Sequence, residues 1–281
     1  MENDKNNIKI HILHCGTIRL SEKQTYLSKS MSNKRVELPA SVYFVEHPVH
    51  GNILIDTGLS SDCREIFPPH LNWFYDPHIS KGQTAAEQLA VMGFKPEDID
   101  YVILTHNDAD HTCALRDFIG KAKHIIMPEL EYFYSCRYVY RVRQAWKTYM
   151  PYKNIIEKPF FRGTNYSPRR RGIDIFGDDS FLGIFSPGHT EGHMMVVINK
   201  APSNRFKASG SGNYGGPFVI LAGDAAITLK NIDDLVPPGF GFDQGRMLQV
   251  LRWLKEQKAD PNCKAVFCSH DPNVKPQTIV I

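Results

Sequence analysis

Three absences narrow what this sequence can encode. No run approaches the roughly 18 apolar residues of a membrane span, and the polar start MENDKNNIKI lacks the apolar stretch of a signal peptide. The six cysteines are scattered without a CxxC pair, and a chain of 281 residues needs no disulfide staples. We therefore expect a cytoplasmic protein with reduced thiols and no membrane contact.

Two catalytic signatures are missing as well. The sequence has no Gly-x-Ser-x-Gly elbow and no Walker phosphate-binding loop, which disfavours serine hydrolysis and nucleotide-driven chemistry. The formal charge of +3 is too small to indicate a nucleic-acid partner. Because there is no internal repeat, no clear linker and an ordinary 42% of apolar residues, residues 1–281 are predicted to form a single domain.

Strand-like and helical patterns alternate along the chain. Short apolar runs bounded by turn residues predict strands at residues 41–46, 52–55, 101–104, 181–185, 194–198, 218–221 and 265–268. Residues 84–92 are predicted as a helix because Thr84 and Glu87 have capping-box spacing and Gly93 follows. Residues 243–255 are predicted as an amphipathic helix, with an apolar stripe of Met247, Val250, Leu251 and Leu254.

Residues of the metal-ligating types cluster at the ends of apolar runs. The segment THNDADH, residues 105–111, places four potential ligands (His106, Asp108, Asp110 and His111) directly after the strand at 101–104. His189, Asp224 and His270 also follow apolar runs, so several strands deliver ligands from one edge of a sheet. Imidazole and carboxylate together suit zinc, iron or manganese. These seven ligands are too many for one tetrahedral ion and suit two ions that share a carboxylate.

A simpler interpretation applies to an isolated histidine or an Asp-rich turn, since both are usual at solvated surfaces. Six of the twelve histidines are interpreted in this way: His11, His47, His50, His70, His78 and His124. This simpler interpretation is disfavoured at the strand ends because His and Asp recur there four times, each after an apolar run.

With these residues the sequence resembles the metallo-β-lactamase superfamily, whose usual first motif is HxHxDH, and more narrowly the N-acyl homoserine lactonase group. The resemblance covers almost the whole chain. It includes LP at 38–39, IDTG at 55–58, KPEDID at 95–100, SPGHTEGH at 186–193, GDA at 223–225 and HDP at 270–272. It implies an α+β fold, a four-layered αββα sandwich with the metals at one edge of the paired sheets.

The resemblance also implies how two divalent ions would divide the ligands. One ion would be held by His106, Asp108 and His189, the second by Asp110, His111 and His270, and Asp224 would bridge them. Asp56 and His193 would orient ligands by hydrogen bonds. Their alternative interpretations are a structural turn and a hydrogen-bonded core histidine.

Two positions depart from the family pattern. Asp108 stands where the family usually has His, and a carboxylate shifts metal preference away from zinc. Zinc stays the expected ion, with iron or manganese as alternatives because of Asp108. The related flavodiiron oxidoreductases also use a carboxylate here, which makes a diiron redox enzyme an alternative. Ile227 stands where many of these lactonases place a Tyr that contacts the substrate carbonyl, so another donor replaces it or the substrate differs.

The implied activity is hydrolysis of a lactone or similar carboxylic ester. A hydroxide bridging the two cations would attack, one ion would polarise the carbonyl, and Asp110 would move a proton to the leaving oxygen. The redox alternative lacks a flavin domain and rubredoxin-like cysteine pairs, and phosphodiester hydrolysis lacks phosphate-binding motifs. An inactive metabolite-binding scaffold is disfavoured because the ligands are intact. Cys113, two residues after His111, is interpreted as a packing residue rather than a reactive thiol.

A basic aromatic segment lies between the first metal motif and His189. Residues 137–171 carry ten Lys or Arg residues against one acid, Glu157. They predict a lid-like insertion around residues 130–175 whose cations attract an anionic small-molecule substrate. The alternatives are a solvated surface or a contact in a homodimer. Residues 202–216, rich in Gly, Ser and Asn, are predicted to form a mobile hairpin loop.

Overall fold

Two β-sheets form the centre of the molecule. The computed structural model describes residues 7–26, 32–137, 155–162, 167–200 and 216–281. The first sheet contains β1 (Lys9–Ser21), β2 (Arg35–His47), β3 (Gly51–Ile55), β4 (Tyr101–Ile103), β5 (His124–Pro128), β6 (Ile155–Lys158) and β13 (Gln277–Val280), in the order β13-β1-β2-β3-β4-β5-β6. The second contains β7 (Phe161–Arg162), β8 (Arg171–Asp174), β9 (Phe181–Phe185), β10 (Met194–Asn199), β11 (Phe218–Leu221) and β12 (Cys263–Phe267), in the order β12-β11-β10-β9-β8-β7.

Helices cover the outer faces of both sheets. In the described residues they are α1 (Glu22–Thr25), α2 (Cys63–Ile66), α3 (Pro69–Tyr75), α4 (Ala85–Val91), α5 (Ala109–Thr112), α6 (Glu129–Ser135), α7 (Leu229–Asp234) and α8 (Gln244–Lys258). Short 3₁₀ turns occupy Pro96–Asp98, Cys113–Asp117 and Gly223–Ala225.

The helices and the two sheets form four layers, and a buried apolar cluster lies between each pair of neighbouring layers. Successive side chains of a strand point to opposite faces of a sheet, so Ile53 and Ile55 face the second sheet whereas Leu54 packs with Leu89 of α4. On the other side, Val197 packs with Leu251 of α8. The four-layered αββα sandwich of the α+β class, predicted from the sequence, is confirmed.

The elements predicted from strong local patterns are present. Thr84 and Glu87 form the capping box of α4, and the predicted apolar stripe of α8 is buried. Asp243 caps α8 rather than lying within it, because its side chain accepts a hydrogen bond from the backbone of Arg246. Strand β2 begins earlier than predicted, at Arg35.

Strands β1, β5, β6, β7, β8 and β13 were not predicted. In β1 the half-buried His11, His14 and Thr17 interrupt the apolar run, so the strand alternates instead of forming a continuous apolar block. Strand β13 is short and largely exposed, and β7 has two residues. These strands are stabilised by pairing with distant neighbours, which local pattern does not reveal.

Three predictions stay predictions: the single domain over residues 1–281, the lid-like insertion and the mobile hairpin loop. Within the predicted lid, residues 138–154 and 163–166 lie outside the described residues, as do residues 202–215 of the predicted hairpin loop. No helix in the described ranges is both long and apolar enough to cross a bilayer.

Candidate metal centre

Sheet topology gathers the predicted ligands at one end of the sandwich. Strands β3, β4 and β5 run parallel in the first sheet, and β11 and β12 run parallel in the second. Strand β9 has the same direction as β11, because both pair antiparallel with β10. The end of the sandwich where β3, β4, β9, β11 and β12 finish is called the site end below. All seven predicted ligands follow strands that finish there.

The loop after β4 delivers four of them within six residues. His106 lies in the loop itself, and Asp108 is the N-cap residue of α5. Asp110 and His111 lie in the single turn of that helix and are buried. Because consecutive helical residues point about 100° apart, one turn directs Asp110 and His111 toward the same centre from different sides.

One group of side chains comprises His106, Asp108 and His189, called the first cluster. The Nε2 atoms of His106 and His189 lie 3.8 Å and 3.1 Å from the same oxygen, Oδ2 of Asp108. The potential ligand atoms of the three residues all lie within 4.8 Å of one another, and the residues are buried. This spacing suits three donors around one cation.

A second group comprises Asp110, His111 and His270, called the second cluster. Oδ2 of Asp110 lies 3.9 Å from Nε2 of His111 and 3.3 Å from Nε2 of His270. The two Nε2 atoms are themselves 3.3 Å apart. A cation between them would bind the lone pairs of both rings.

Asp224 lies between the clusters and faces each with a different oxygen. Its Oδ2 is 3.4 Å from Nε2 of His189 in the first cluster. Its Oδ1 is 3.2 Å from Nε2 of both His111 and His270 in the second. The structure therefore brings all seven predicted ligands into one buried group in which one carboxylate spans two clusters.

The hydrogen bonds of the histidines direct Nε2 toward the centre. Nδ1 of His270 donates to the carbonyl oxygen of Pro39 at 2.7 Å, and Nδ1 of His189 donates to that of Phe240 at 3.3 Å. Nδ1 of His111 donates to Oδ2 of Asp56 at 2.8 Å. A ring that donates through Nδ1 keeps the Nε2 lone pair for a metal.

Asp56 connects the loops that carry the two clusters. It accepts hydrogen bonds from the backbone N–H and hydroxyl of Thr105, both at 2.8 Å, in addition to that from His111. Because the Thr105 hydroxyl donates to Asp56, it accepts from Nδ1 of His106, 3.0 Å away. Asp56 adopts a φ of 60°, a left-handed conformation that a non-glycine residue rarely occupies. Asp56 therefore connects His111 with Thr105, the residue that precedes His106.

His193 supports Asp224 in a similar way. The Ser186 hydroxyl donates to the carbonyl of His193 and lies 2.7 Å from Nδ1, so it accepts the Nδ1 proton. Nε2 of His193 then accepts the backbone N–H of Asp224 at 3.0 Å. Burial, and then the neighbouring His189, lower the pKa of His193 to about 3, which keeps the ring neutral. Gly223, with φ of 53°, permits this contact, since a Cβ there would lie 2.7 Å from Nε2 of His193.

The donor set fits two divalent cations. In the described structure, Nε2 of His106 and one oxygen each of Asp110 and Asp224 are buried without a hydrogen-bond partner, which costs free energy unless another ligand binds them. The carboxylates also create a negative field. Although burial opposes it, Asp224, Asp56 and Asp110 together raise the pKa of His111 well above its ordinary value.

Comparison with known proteins identifies the family. A family model described as the metallo-beta-lactamase superfamily matches residues 35–201, more than half of the chain. The chain belongs to the metallo-β-lactamase superfamily. The family predicted from the THNDADH and SPGHTEGH segments is thereby confirmed. Dinuclear sites built from His and Asp clusters fit this superfamily.

Among relatives of known activity, the chain is similar to N-acyl homoserine lactonases. The lactonase AttM of Rhizobium radiobacter is 26% identical over 281 residues, which cover 95% of this chain and 94% of AttM. The N-acyl homoserine lactonase of Bacillus cereus is 26% identical over 269 residues, with 94% and 93% covered. A solved structure of an AiiA variant from B. thuringiensis, with N-decanoyl-L-homoserine bound at its active site, superimposes with a TM-score of 0.73 at 23% identity. It covers 96% of this chain and 98% of its own, and at that identity it shows the fold.

One functional residue of this metallo-β-lactamase fold escaped the sequence reasoning. Glu131, buried in α6, accepts hydrogen bonds from the Asn107 backbone at 3.0 Å, the Thr190 hydroxyl at 2.8 Å and the Gly192 backbone at 3.0 Å. It therefore joins the loop of His106 and Asp108 to the loop of His189. A signal was available, because Glu131 follows β5 at the site end as the ligands follow their strands.

Tyr75 at the end of α3 is a second residue that the sequence did not indicate. Its hydroxyl donates to Oδ2 of Asp108 at 3.4 Å, and the residue is buried. Ile227, at the position where lactonases often carry Tyr, belongs to the same buried apolar cluster as Tyr75. A phenol thus reaches the first cluster from α3.

Cys113 is a packing residue. It is fully buried, and its Sγ lies 3.0 Å from the Ser60 hydroxyl. Burial raises the pKa of its thiol to about 12, which keeps it protonated and unreactive. The prediction of packing over reactivity is supported.

Proposed function

We propose that this protein is a dinuclear, metal-dependent hydrolase that opens a lactone or a similar carboxylic ester. The observation that carries the proposal is Asp224, which presents one oxygen to each of two clusters of matched composition. Similarity to N-acyl homoserine lactonases over almost the full length favours a lactone as the substrate class.

The proposed ligands follow the two clusters. His106, Asp108 and His189 would hold one ion, Asp110, His111 and His270 the other, and Asp224 both. We propose zinc as the ion, with iron or manganese as alternatives because the carboxylate of Asp108 is a hard ligand. Asp56 and His193 would fix the orientation of His111 and Asp224.

When bound, two divalent cations lower the pKa of a water toward neutrality and polarise a carbonyl oxygen. Asp110 would transfer the proton from the attacking water to the leaving alcohol. Its Oδ2 faces His270 at 3.3 Å, whereas its Oδ1 is buried and has no hydrogen-bond partner in the described structure. A carboxylate that binds a metal through one oxygen keeps the other for a proton that must reach the leaving alcohol. Burial of the whole group excludes bulk water from this transfer.

A phosphodiesterase is the second candidate, and four arginines that line one surface depression, Arg162, Arg169, Arg170 and Arg171, give it a physical basis. Lactone hydrolysis is favoured because the relatives from Rhizobium radiobacter and Bacillus cereus described above are N-acyl homoserine lactonases. A small molecule as the partner, a cytoplasmic location and the absence of a nucleic-acid partner stay predictions.

The test combines metal analysis with a substrate screen. Protein purified without added metal, and protein reconstituted with zinc, iron or manganese, is analysed for metal and assayed on lactones, simple esters and phosphodiesters. We expect about two ions per chain and fastest hydrolysis of lactones. One ion or fewer after every reconstitution contradicts the dinuclear site, and hydrolysis of phosphodiesters alone contradicts the substrate class. Metal-stripped protein is the control.

A further inference from the structure

Four arginines line a cleft near the start of β8. Arg162, Arg169, Arg170 and Arg171 line an open surface depression of about 570 Å³, called the arginine cleft below. Arg162 and Arg170 are exposed, and the other two are half-buried.

These arginines have no acidic partner in the part of the chain that the structure describes. In the described ranges, no carboxylate forms an ion pair with any of the four, whereas Arg19, Arg64, Arg116 and Arg246 each do. Arg169 donates to the neutral amide of Gln249 at 2.7 Å. Nε of Arg171 is buried and has no hydrogen-bond partner among the described residues. Like charges held together without counter-charges repel one another, so the cleft is built to attract an anion.

The arginine cleft lies at the site end. Strand β8 pairs antiparallel with β9, so the first residue of β8, Arg171, lies beside the last residue of β9, Phe185. The Arg171 guanidinium stacks over the Phe185 ring at 5.3 Å. Arg162 pairs with Arg171 across β7 and β8. The cleft therefore begins one strand away, about 4.8 Å, from the strand that leads into His189.

The separation from the first cluster suits a small substrate. Phe185 precedes His189 by four residues, which span at most about 14 Å when fully extended. A lactone ring at the clusters and an anionic group on a short acyl chain would bridge a distance of this order. A guanidinium presents two parallel N–H groups to a carboxylate, so it binds that group more specifically than an ammonium does.

We infer that the arginine cleft is a subsite for a carboxylate on the substrate, so that the preferred substrate is a small anionic lactone. The inference rests on the proposed lactone hydrolysis and adds the substrate class. Exposed Arg162 and Arg170 would attract the anion, and half-buried Arg171, fixed on Phe185, would bind it.

Two matched lactones test the inference. Homoserine lactone acylated with glutaric acid ends in a carboxylate, and its hexanoyl counterpart has similar length and no charge. We expect kcat/KM at low ionic strength to be at least about tenfold higher for the glutaryl lactone, with the advantage shrinking at high ionic strength because salt screens exposed charges.

Arginine variants test whether the preference for the charged lactone depends on the arginine cleft. In the double variant Arg162→Gln/Arg170→Gln, we expect kcat/KM for the glutaryl lactone to fall about tenfold and that for the hexanoyl lactone to stay unchanged. Arg252→Gln is the control, since it removes a charge from an exposed residue of α8 outside the cleft. Reversal of charge in Arg162→Glu/Arg170→Glu should make the hexanoyl lactone the better substrate.

The outcomes separate this inference from the proposed function. Equal kcat/KM for the two lactones, with no effect of salt or of the double variant, overturns the subsite and leaves lactone hydrolysis intact. If the metal-loaded protein hydrolyses neither lactone, the proposed function fails, and calorimetric binding of the two ring-opened products decides the subsite. Tighter binding of the glutaryl product, lost in the double variant, supports the cleft, and equal binding refutes it.

Discussion

The two ligand clusters have the same composition but different supports. Each offers two imidazoles and one carboxylate and shares Asp224 with the other. In the second cluster, His111 donates to the carboxylate of Asp56 at 2.8 Å and His270 donates to a backbone carbonyl at 2.7 Å. In the first, His189 donates to a carbonyl at 3.3 Å and His106 to a hydroxyl at 3.0 Å.

This difference indicates unequal metal affinity. Short hydrogen bonds to a carboxylate or carbonyl fix the ring and make Nε2 more basic. We therefore expect the second cluster to bind its ion first and more tightly. Asp108 gives the first cluster a negative charge that partly offsets its weaker supports, and the His usual at this position would leave that cluster with three neutral donors.

The largest expected effect comes from removing the shared carboxylate. In Asp224→Ala, both clusters lose a ligand, and the separation of the two ions is no longer fixed. We expect kcat/KM on a lactone to fall by at least about a hundredfold, since loss of an outer hydrogen-bond partner alone costs 10- to 100-fold in metal sites. Parallel metal analysis should find fewer than two ions per chain.

The control for this change is Asp234→Ala, which removes an exposed carboxylate paired with Lys230. Such surface pairs contribute little to stability, so activity and metal content should stay normal. An Asp224→Ala variant that keeps both ions and near-normal turnover would show that this residue is not the bridge.

Glu131→Gln should break the first cluster and spare the second. Glutamine keeps one accepting oxygen and places an amino group where the other oxygen was. It can therefore retain the hydrogen bond from Asn107 or those from Thr190 and Gly192, but not all three, so the connection between the two loops of the first cluster is weakened. We expect one ion to bind about 10- to 100-fold more weakly and the other to bind normally, measured by competition with a chelator. Glu129→Gln, an exposed change in the same helix, is the control. Equal weakening of both ions would contradict the comparison.

A smaller effect on metal choice is expected from Asp108→His. Imidazole suits zinc better than a carboxylate does, whereas manganese favours the carboxylate. We expect the zinc-to-manganese affinity ratio of the first cluster to rise by about tenfold or more in competition titrations. Asp108→Asn separates loss of charge from gain of imidazole. An unchanged ratio in both variants would mean that Asp108 is not a ligand.

The clusters also show how far sequence reasoning reaches. The ligands were predictable because each follows a local apolar run, and parallel strands end at the same edge of a sheet. Asp56 and His193 required the family resemblance, since a turn and a core histidine have the same local appearance. Glu131 and Tyr75 reach the site from α6 and α3 through contacts 24 and 33 residues apart in sequence, which no local pattern encodes. Strand β1 escaped for the same reason, because distant pairing with β2 and β13 stabilises it.

The smallest expected effect concerns the phenol at the first cluster. Tyr75 donates to Oδ2 of Asp108 at 3.4 Å, a long hydrogen bond, and this is the oxygen that faces both His106 and His189. In Tyr75→Phe the ring keeps its packing, whereas the carboxylate loses a donor that restrains its orientation. A net loss of about 1 kcal/mol corresponds to about fivefold weaker binding of one ion.

Chelator competition, followed for each of the two ions separately, measures this effect. Tyr132→Phe is the control. It removes a hydroxyl from half-buried Tyr132 of α6, which does not belong to either cluster. The melting temperature of the metal-free protein should change little, since the Tyr75 ring remains packed in the same apolar cluster as Ile227. A fivefold loss confined to the first cluster would assign the Tyr75 hydroxyl to the orientation of Asp108. Unchanged affinity of both ions would mean that the Tyr75 hydroxyl does not orient Asp108, that Tyr75 serves packing alone, and that the hydroxyl missing at Ile227 has no substitute on α3.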